Sequence, residues 1–137
     1  MTEFKLRILE AEGTFYDGGC LSIIVPTSEG AYGIQANHEP LIAAVVPGEI
    51  KYTLPSGEEM YAAITGGFLK MEDNELLILT EAAEHPDEID EKRMREEVRL
   101  ATEEIESKRS IEEYRIAQAR MARAINRLKV KNKFKRK

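Results

Sequence analysis

The sequence predicts a chain in two parts, an N-terminal antiparallel β-sandwich over residues 1–84 and a C-terminal antiparallel two-helix hairpin over residues 85–137. All nine glycines lie before residue 68 and the last of the five prolines is Pro86, so residues that favour turns stop near the boundary. The charge changes sign at the same place. The first part has 14 acids and 4 bases, a net charge of −10, and the second has 11 acids and 16 bases, a net charge of +5.

Short alternating segments in the first part predict strands with one buried face. Apolar and polar side chains alternate over residues 4–8 and again over residues 50–54. Turn-forming clusters recur at intervals of about 8 to 12 residues, which is the spacing of an antiparallel sandwich. These clusters are Asp17-Gly18-Gly19, Ser28-Glu29-Gly30, Pro47-Gly48, Pro55-Ser56-Gly57 and Asp73-Asn74. Residues 41–46 and 76–79 are apolar throughout, which predicts strands covered on both faces.

The second part has the patterns of two amphipathic helices. Asp87 or Asp90 can cap the first helix, and Ser110 with Glu113 forms a capping box for the second. The apolar stripe of the first helix is Met94, Val98, Ala101 and Ile105. The stripe of the second is Tyr114, Ala117, Met121, Ala124 and Leu128. Because both stripes are narrow and the second contains two alanines, we expect a marginally stable hairpin that can move.

Composition excludes several classes of protein. The apolar runs fall far short of the roughly 20 residues that a membrane-spanning helix needs, and the N-terminus lacks the pattern of a secretory signal, so we expect a cytoplasmic setting. The single cysteine, Cys20, makes an internal disulfide impossible, and together with two histidines it does not form a zinc site of the usual spacing. We expect Cys20 to be a small buried apolar residue, with a reactive thiol as the alternative.

Candidate catalytic residues are few. His38 and Glu39 are adjacent and could support acid–base chemistry, but the sequence places no serine, cysteine or second carboxylate to complete a set, which favours a structural loop. Gly66 and Gly67 are not followed by Lys-Ser or Lys-Thr, so they indicate a bulge or a close backbone approach and not a phosphate loop. No catalytic residue and no metal site are predicted.

Residues 114–137 contain ten bases and no acid. A solvated helix face with a basic tail explains this pattern, and an acidic protein partner is the functional alternative. Nucleic-acid binding is disfavoured because only Phe134 is interleaved with the bases. A basic-helix adaptor that binds an acidic protein or nucleic acid therefore remains the alternative function.

Several short motifs, in a fixed order and spacing, carry a family resemblance. They are the strand at residues 4–9, Gly30-x-x-Gly33-Ile34, His38-x-Pro40-Leu41, Pro47-Gly48, Gly66-Gly67-Phe68, the turn at Asn74, and a second helix ending Arg123-Ala124-Ile125-Asn126-Arg127-Leu128. With these motifs the chain resembles the epsilon subunits of bacterial F-type ATP synthases over residues 2–130. The resemblance implies a β-sandwich with a helical hairpin, in a subunit that is not itself catalytic.

The resemblance also implies partners. Such subunits belong to the central rotor, where they join the γ subunit to the ring of c subunits, and they are held at the cytoplasmic face of the bacterial cell membrane only through the complex. The loop expected to meet the c-ring contains Glu29, Gly30, Ala31, Gly33 and His38. Relatives can carry an acid at position 31, where this chain has alanine.

A regulatory role for the hairpin follows from the same resemblance. In these subunits the hairpin folds against the sandwich or extends into the catalytic head, where it inhibits ATP hydrolysis. In the extended state, Arg115, Arg120, Arg123 and Arg127 can pair with an acidic segment of a catalytic β subunit, so the resemblance implies the catalytic α and β subunits as partners.

A nucleotide site is implied as well. Some relatives bind ATP as a regulatory ligand through an Ile-Asp-x-x-Arg-Ala motif, and no cofactor is required otherwise. The matching segment here is Ile89-Asp90-Glu91-Lys92-Arg93-Met94, in which methionine replaces the final alanine. The remaining residues of the implied site are Glu84, Arg123 and Arg127.

Overall fold

The structure is a computed structural model that describes residues 2–107 and 111–134. The chain divides into two compact units, Met1–Glu84 and His85–Lys137. The first unit contains β1 (Phe4–Glu10), β2 (Gly13–Cys20), β3 (Ser22–Thr27), β4 (Gly30–Gln35), β5 (Leu41–Val45), β6 (Gly48–Thr53), β7 (Glu59–Ile64), β8 (Gly67–Glu72), β9 (Glu75–Thr80) and β10 (Ala83–Glu84). The second contains a short 3-10 helix (Pro86–Glu88), α1 (Glu91–Ser107) and α2 (Ile111–Phe134). The predicted fold class, a sandwich followed by two helices, is confirmed.

The strands form two layers of a sandwich. One layer has the order β4-β3-β6-β7-β10 and the other β5-β8-β9-β1-β2, and the layers are joined where Thr27 of β3 pairs with Val45 of β5. Every pairing is antiparallel except that of β1 with β9, which is parallel. A parallel pair needs a long connection between its strands, and the seven intervening strands provide it.

The core of the sandwich lies between the two layers. The predicted alternation is confirmed in β1, where Phe4, Leu6 and Ile8 are buried, and in β6, where Ile50 and Tyr52 are buried. Full burial of one such side chain contributes about 1.5 to 3 kcal/mol. The first unit therefore has a large apolar core of its own.

Two predictions about the strands are wrong. Residues 41–46 and 76–79 were expected to be covered on both faces, but Ile42 is 74% exposed and Leu79 is 46% exposed. Only one face of each strand points into the core, as is usual in antiparallel sheets. The segment Asp17-Gly18-Gly19 was expected to be a turn and instead lies within β2. Its glycines leave room for neighbouring side chains, because a Cβ at Gly18 would lie 2.9 Å from the Tyr16 hydroxyl oxygen.

Two predicted backbone features are confirmed. Asp73 and Asn74 have φ angles of 51° and 59° in the turn between β8 and β9. The Asn74 side chain donates to the Glu3 carbonyl oxygen at 3.0 Å and accepts from the Asn37 amide at 2.7 Å, so the turn is tied to two other segments. A Cβ at Gly67 would lie 1.9 Å from the Leu79 carbonyl oxygen, which is the close approach expected at the glycine pair.

The last residues of the first unit are hydrogen-bonded to the rest of the sandwich. In β10, Ala83 pairs with Ile64 of β7 and Glu84 pairs with Ala63. The Ala83 amide donates to the Glu10 carboxylate at 2.8 Å. The chain is therefore fixed up to the boundary between the units.

Local sequence defines the start of α1. The Asp90 carboxylate accepts a hydrogen bond from the Arg93 amide at 3.0 Å, so of the two candidates it is Asp90 that caps the helix. The capping box predicted for α2 depends on Ser110, which lies outside the described residues.

In the described part of the helical unit, the buried residues include four of the predicted stripe residues, Met94, Ala101, Ala117 and Ala124, together with Ile89 and Val130. The other predicted residues Val98, Ile105, Met121 and Leu128 are half-buried. Tyr114 was expected in the buried stripe, but it is 38% exposed. Its hydroxyl accepts from the Gln118 side chain at 2.9 Å one turn along α2, which favours a surface position.

Two contacts establish that the helices are antiparallel, as predicted. The Thr102 hydroxyl lies 3.6 Å from the Met121 sulfur, and the Arg120 guanidinium donates to both Glu104 oxygens at 2.7 and 2.9 Å. From Thr102 to Glu104 the position on α1 advances, while the contacted position on α2 goes back from Met121 to Arg120.

Candidate functional site

The residues of the implied nucleotide site are spread along two segments. Glu84 lies in β10, Ile89 is buried directly after the 3-10 helix, and Asp90 serves as the cap of α1. Arg93 is exposed, and its Nε lies 3.8 Å from the Glu97 carboxylate.

The register of the hairpin positions the two arginines of α2. Because Thr102 meets Met121, Arg93 of α1 lies near the level of Val130. At a rise of about 1.5 Å per residue, Arg127 is about 4.5 Å and Arg123 about 10.5 Å from that level along the axis. Both arginines are partly buried. The helical unit thus brings Arg127 within about one turn of the level of Arg93, and Arg123 lies about one further turn towards the start of α2.

Met94 occupies the position where the motif has alanine. Its side chain is fully buried. The side chain that replaces alanine is therefore removed from solvent, directly after Arg93 in α1.

The loop expected to contact the c-ring is a β-hairpin. Ser28 and Glu29 connect β3 to β4, and Gly30, Ala31 and Gly33 are exposed along β4. Gly30 has a φ of 110°, a conformation that favours glycine. The turn is braced by Thr27, whose hydroxyl donates to the Gly30 carbonyl oxygen at 2.7 Å and accepts from the Glu29 amide at 3.2 Å.

His38 follows β4 and stabilises the loop. Its Nδ1 lies 2.7 Å from the Glu39 carbonyl oxygen, and its ring meets Tyr32 edge-on at a centroid distance of 5.8 Å. These contacts support the expectation of a structural loop.

The four arginines of the proposed inhibitory face differ in their surroundings. Arg115 is exposed, whereas Arg123 and Arg127 are partly buried. Arg120 is bound to Glu104 of α1. The folded hairpin therefore engages Arg120 within the chain, a contact that only the tertiary register reveals.

Ion pairs cover the surface of α1. Arg95 pairs with Glu91 at 2.7 Å, and Arg99 pairs with Glu96 and Glu103. The hydrogen bond from Arg99 lowers the pKa of the Glu96 carboxyl. Such a group stabilises the folded state above its unfolded pKa, and that stabilisation is lost as the pH falls through the lowered folded pKa.

The sandwich has an exposed apolar face that the sequence patterns do not predict. It consists of Ile42, Ala44, Phe68 and Leu79 on the outer side of β5, β8 and β9. Ala44 pairs with Phe68, and Phe68 pairs with Leu79, so three of the four lie side by side. Phe68 is 62% exposed. Contiguous exposed apolar side chains of this kind mark interaction sites.

Three further properties concern the Cys20 thiol, metal binding and membrane crossing. Burial raises the pKa of the Cys20 thiol, and the residue is buried, as the prediction of an apolar role requires. Within residues 2–107 and 111–134, no three acidic, histidine or cysteine side chains are grouped to hold a metal ion. No helix in the described part of the chain is long and apolar enough to cross a membrane.

Comparison with known proteins decides the family. The profile of the ATP synthase delta/epsilon chain β-sandwich domain matches residues 3–86, and that of the delta/epsilon long α-helix domain matches residues 87–132. The chain belongs to the ATP synthase delta/epsilon family. The family profiles meet within three residues of the boundary between the two units, Glu84 and His85.

Similar proteins support the assignment to this delta/epsilon family. The ATP synthase epsilon chain of Ruminococcus albus is 37% identical over 134 residues, which cover 97% of this chain and 99% of that protein. The ATP synthase epsilon chain of Clostridium novyi is 38% identical over 127 residues, covering 93% of this chain and 96% of that one.

Solved structures share the fold of this delta/epsilon family member. A chain of the Euglena gracilis mitochondrial ATP synthase, in an assembly of OSCP, F1 and c-ring, superposes with a TM-score of 0.80 at 20% identity, covering 92% of this chain and 79% of that one. A chain of the Tetrahymena thermophila mitochondrial ATP synthase central stalk and c-ring gives a TM-score of 0.60 at 16% identity, covering 95% and 97%.

Proposed function

We propose that this chain is the epsilon subunit of the rotor of an F-type ATP synthase. In this role it is not catalytic: the sandwich joins the γ subunit to the c-ring, and the hairpin inhibits ATP hydrolysis in the catalytic head. The complex holds it at the cytoplasmic face of the bacterial cell membrane. Family membership supports this function, and no comparison supports an independent basic-helix adaptor.

The exposed apolar face carries the proposal that the sandwich docks on γ. Its four side chains would be removed from water by a partner, with a gain of about 25 cal/mol per Å² of apolar area. The loop from Glu29 to His38 is then the part that meets the c-ring.

The docking face can be tested with matched isoleucines. Ile42→Ser changes the apolar face, whereas Ile24→Ser changes another exposed isoleucine, on β3 in the other layer. We expect Ile42→Ser to weaken binding to a catalytic head prepared without this chain by about tenfold, which corresponds to about 1.4 kcal/mol. Ile24→Ser should bind as the parent does. Equal binding by both variants contradicts the assignment of this face.

The inhibitory role is tested by hydrolysis. The same catalytic head is titrated with the full chain or with a version ending at Glu84, which retains β10 and the complete sandwich core. We expect both to bind and only the full chain to inhibit. If both bind and neither inhibits, the hairpin is not inhibitory. If neither binds, the rotor function itself is wrong.

Charges on α2 supply the proposed contact with the catalytic subunits. Because Arg120 is already bound to Glu104, the clearest test is the double variant Arg115→Ala, Arg123→Ala. It should relieve inhibition while the sandwich keeps its affinity for the head. The control is Arg95→Ala, on α1, which should inhibit like the parent.

ATP is proposed as a regulatory ligand of the helical unit. The exposed guanidinium of Arg93 and the cap at Asp90 support this role. Isothermal titration of the full chain with millimolar ATP should give heat that Arg93→Ala removes and Arg95→Ala retains. If Met94 obstructs the nucleotide, Met94→Ala should bind more tightly. If neither the parent nor Met94→Ala gives heat, the proposal that ATP binds the helical unit is wrong.

A further inference from the structure

Strand β4 is an edge strand. It pairs along its whole length, from Gly30 to Gln35, with β3 on one side. Within the described ranges 2–107 and 111–134, no strand pairs with its other side.

The pairing shows which backbone groups face outwards. In an antiparallel ladder, hydrogen-bonded pairs alternate with pairs that do not exchange bonds. Ala31 lies opposite Pro26, which has no amide hydrogen, and the Pro26 carbonyl oxygen accepts from Val46 on the far side of β3. The pair of Ala31 and Pro26 is therefore a non-bonded one. By the same alternation, the amides and carbonyls of Ala31, Gly33 and Gln35 point away from β3.

Strand β4 lacks the charged residues and proline that commonly protect an edge strand from pairing with another chain. Edge strands are commonly protected by charged side chains, proline, bulges or short length. Ala31 and Gly33 have almost no side chain, and β4 contains no charged residue and no proline. The edge at β2 differs, because β2 carries Asp17 and has a bulge opposite the step from Ile8 to Leu9. At the other end of the sheet, β10 has only two residues.

The segments that flank β4 in the sequence are acidic. No lysine or arginine occurs between Arg7 and Lys51, whereas that stretch contains six acids. Two of them, Glu29 and Glu39, are exposed on either side of β4. Glu29 directly precedes β4 and Glu39 follows its last residue by four positions, so both segments that flank the strand carry an exposed acid.

We propose that the outer edge of β4 binds an extended, basic segment of a partner protein by strand addition. The backbone groups of Ala31, Gly33 and Gln35 supply the hydrogen bonds, and Glu29 and Glu39 select lysine or arginine in the segment. The inference deepens the proposed function and rests on it for the place of the partner within the ATP synthase. The edge itself does not depend on that function.

The test uses the full chain and defined peptides. The probe is an eight-residue peptide of alternating valine and lysine, blocked at both ends. One control replaces lysine by glutamate, and a second keeps the lysines but is N-methylated at alternate residues, which removes the amide donors of one edge. We expect the probe to shift the amide resonances of Ala31, Gly33 and Gln35 and to slow their hydrogen exchange. Equal binding of the N-methylated peptide would overturn strand addition, and equal binding of the glutamate peptide would overturn the charge selection.

Two variants at one position separate the backbone from the side chain. Gly33→Pro removes an outward donor and no bond to β3, and Gly33→Ala keeps the donor in a position where a Cβ meets no atom within 4 Å. Loss of the donor should weaken the probe about tenfold, as expected for one hydrogen bond, while Gly33→Ala stays within about twofold. Should Gly33→Pro fail to fold, Ala31→Pro tests the same donor row. A folded proline variant that binds like the parent contradicts the proposal.

The outcome is independent of the test for the rotor function. Peptide binding is measured on the chain alone, whereas docking and inhibition are measured on the catalytic head with variants of the apolar face and of α2. Loss of peptide binding in the folded proline variants supports the edge site. Failure of the peptide to bind at all overturns the edge site and leaves the rotor function standing.

Discussion

Different interactions stabilise the sandwich and the hairpin internally. The sandwich buries large side chains such as Leu6, Ile8 and Ile78 completely. Among the buried residues of the hairpin are three alanines, Ala101, Ala117 and Ala124. Because burial energy scales with apolar area, an alanine contributes far less than a leucine or isoleucine.

The hairpin compensates with local interactions. A cap at Asp90, ion pairs along α1 and the bridge between Arg120 and Glu104 stabilise helices that bury little surface. A helix cap contributes about 0.5 to 2 kcal/mol, and exposed ion pairs contribute less. This difference between the two units supports the proposal that the hairpin can exchange its packing for contacts with a partner.

The largest expected effect on the free energy of unfolding comes from comparing a buried isoleucine of the sandwich with an exposed one. Ile78→Ala removes a fully buried side chain and should lower the free energy of unfolding by about 2 to 5 kcal/mol. Ile42→Ala, at a 74% exposed position, should change it by less than about 0.5 kcal/mol. Urea denaturation of both variants measures the difference. Similar losses for both would mean that the apolar face is covered in the folded protein.

A second variant tests the backbone contact between β8 and β9. Gly67→Ala places a Cβ against the Leu79 carbonyl oxygen, so we expect a loss of about 1 to 3 kcal/mol from overpacking. Gly33→Ala is the matched control and should be almost neutral. If Gly67→Ala and Gly33→Ala have the same denaturation midpoint, β8 and β9 accommodate the added methyl group without loss of stability.

In the hairpin the cap should have the next largest effect. Asp90→Ala removes the acceptor for the Arg93 amide and should reduce hairpin stability by about 1 kcal/mol. Asp87→Ala, just before it in the 3-10 helix, should leave helicity unchanged. Circular dichroism at 222 nm during thermal unfolding reports on the helices. The assignment of the cap is wrong if the two variants lose helicity equally.

The smallest effect concerns the bridge between the helices. Glu104→Gln should weaken the hairpin by about 0.2 to 1 kcal/mol, because both partners are partly exposed. The loss should shrink as salt screens the pair in the parent. Distance measurement between spin labels on α1 and α2 detects the opening, with Glu112→Gln as the control. A loss that is independent of salt would indicate packing and not charge.

Much of the fold follows from the sequence because its causes are local. The alternation at residues 4–8, the glycine pair at Gly66 and Gly67 and the cap at Asp90 each depend on near neighbours or on a chemical property of one residue. Tyr114 shows the limit of helical periodicity, since a polar bond to Gln118 accompanies its exposed position.

The functional surfaces depend on contacts between distant segments. The apolar face joins Ile42, Phe68 and Leu79, which only the strand order brings together. The run at residues 41–46 gave no indication of which side faces the core. The open edge of β4 likewise follows from its place in the sheet, and the bridge from Arg120 to Glu104 follows from the register of the hairpin.

The anchoring of Ala83 has a mechanical consequence. Tension applied through the helices reaches the sandwich at β10, where it meets the bond to the Glu10 carboxylate and a ladder of two residue pairs. A short antiparallel ladder pulled from its end opens one bond after another, so this corner should yield at a lower force than the strands behind it. Under load, we expect β10 to separate from β7 before the core strands separate from one another.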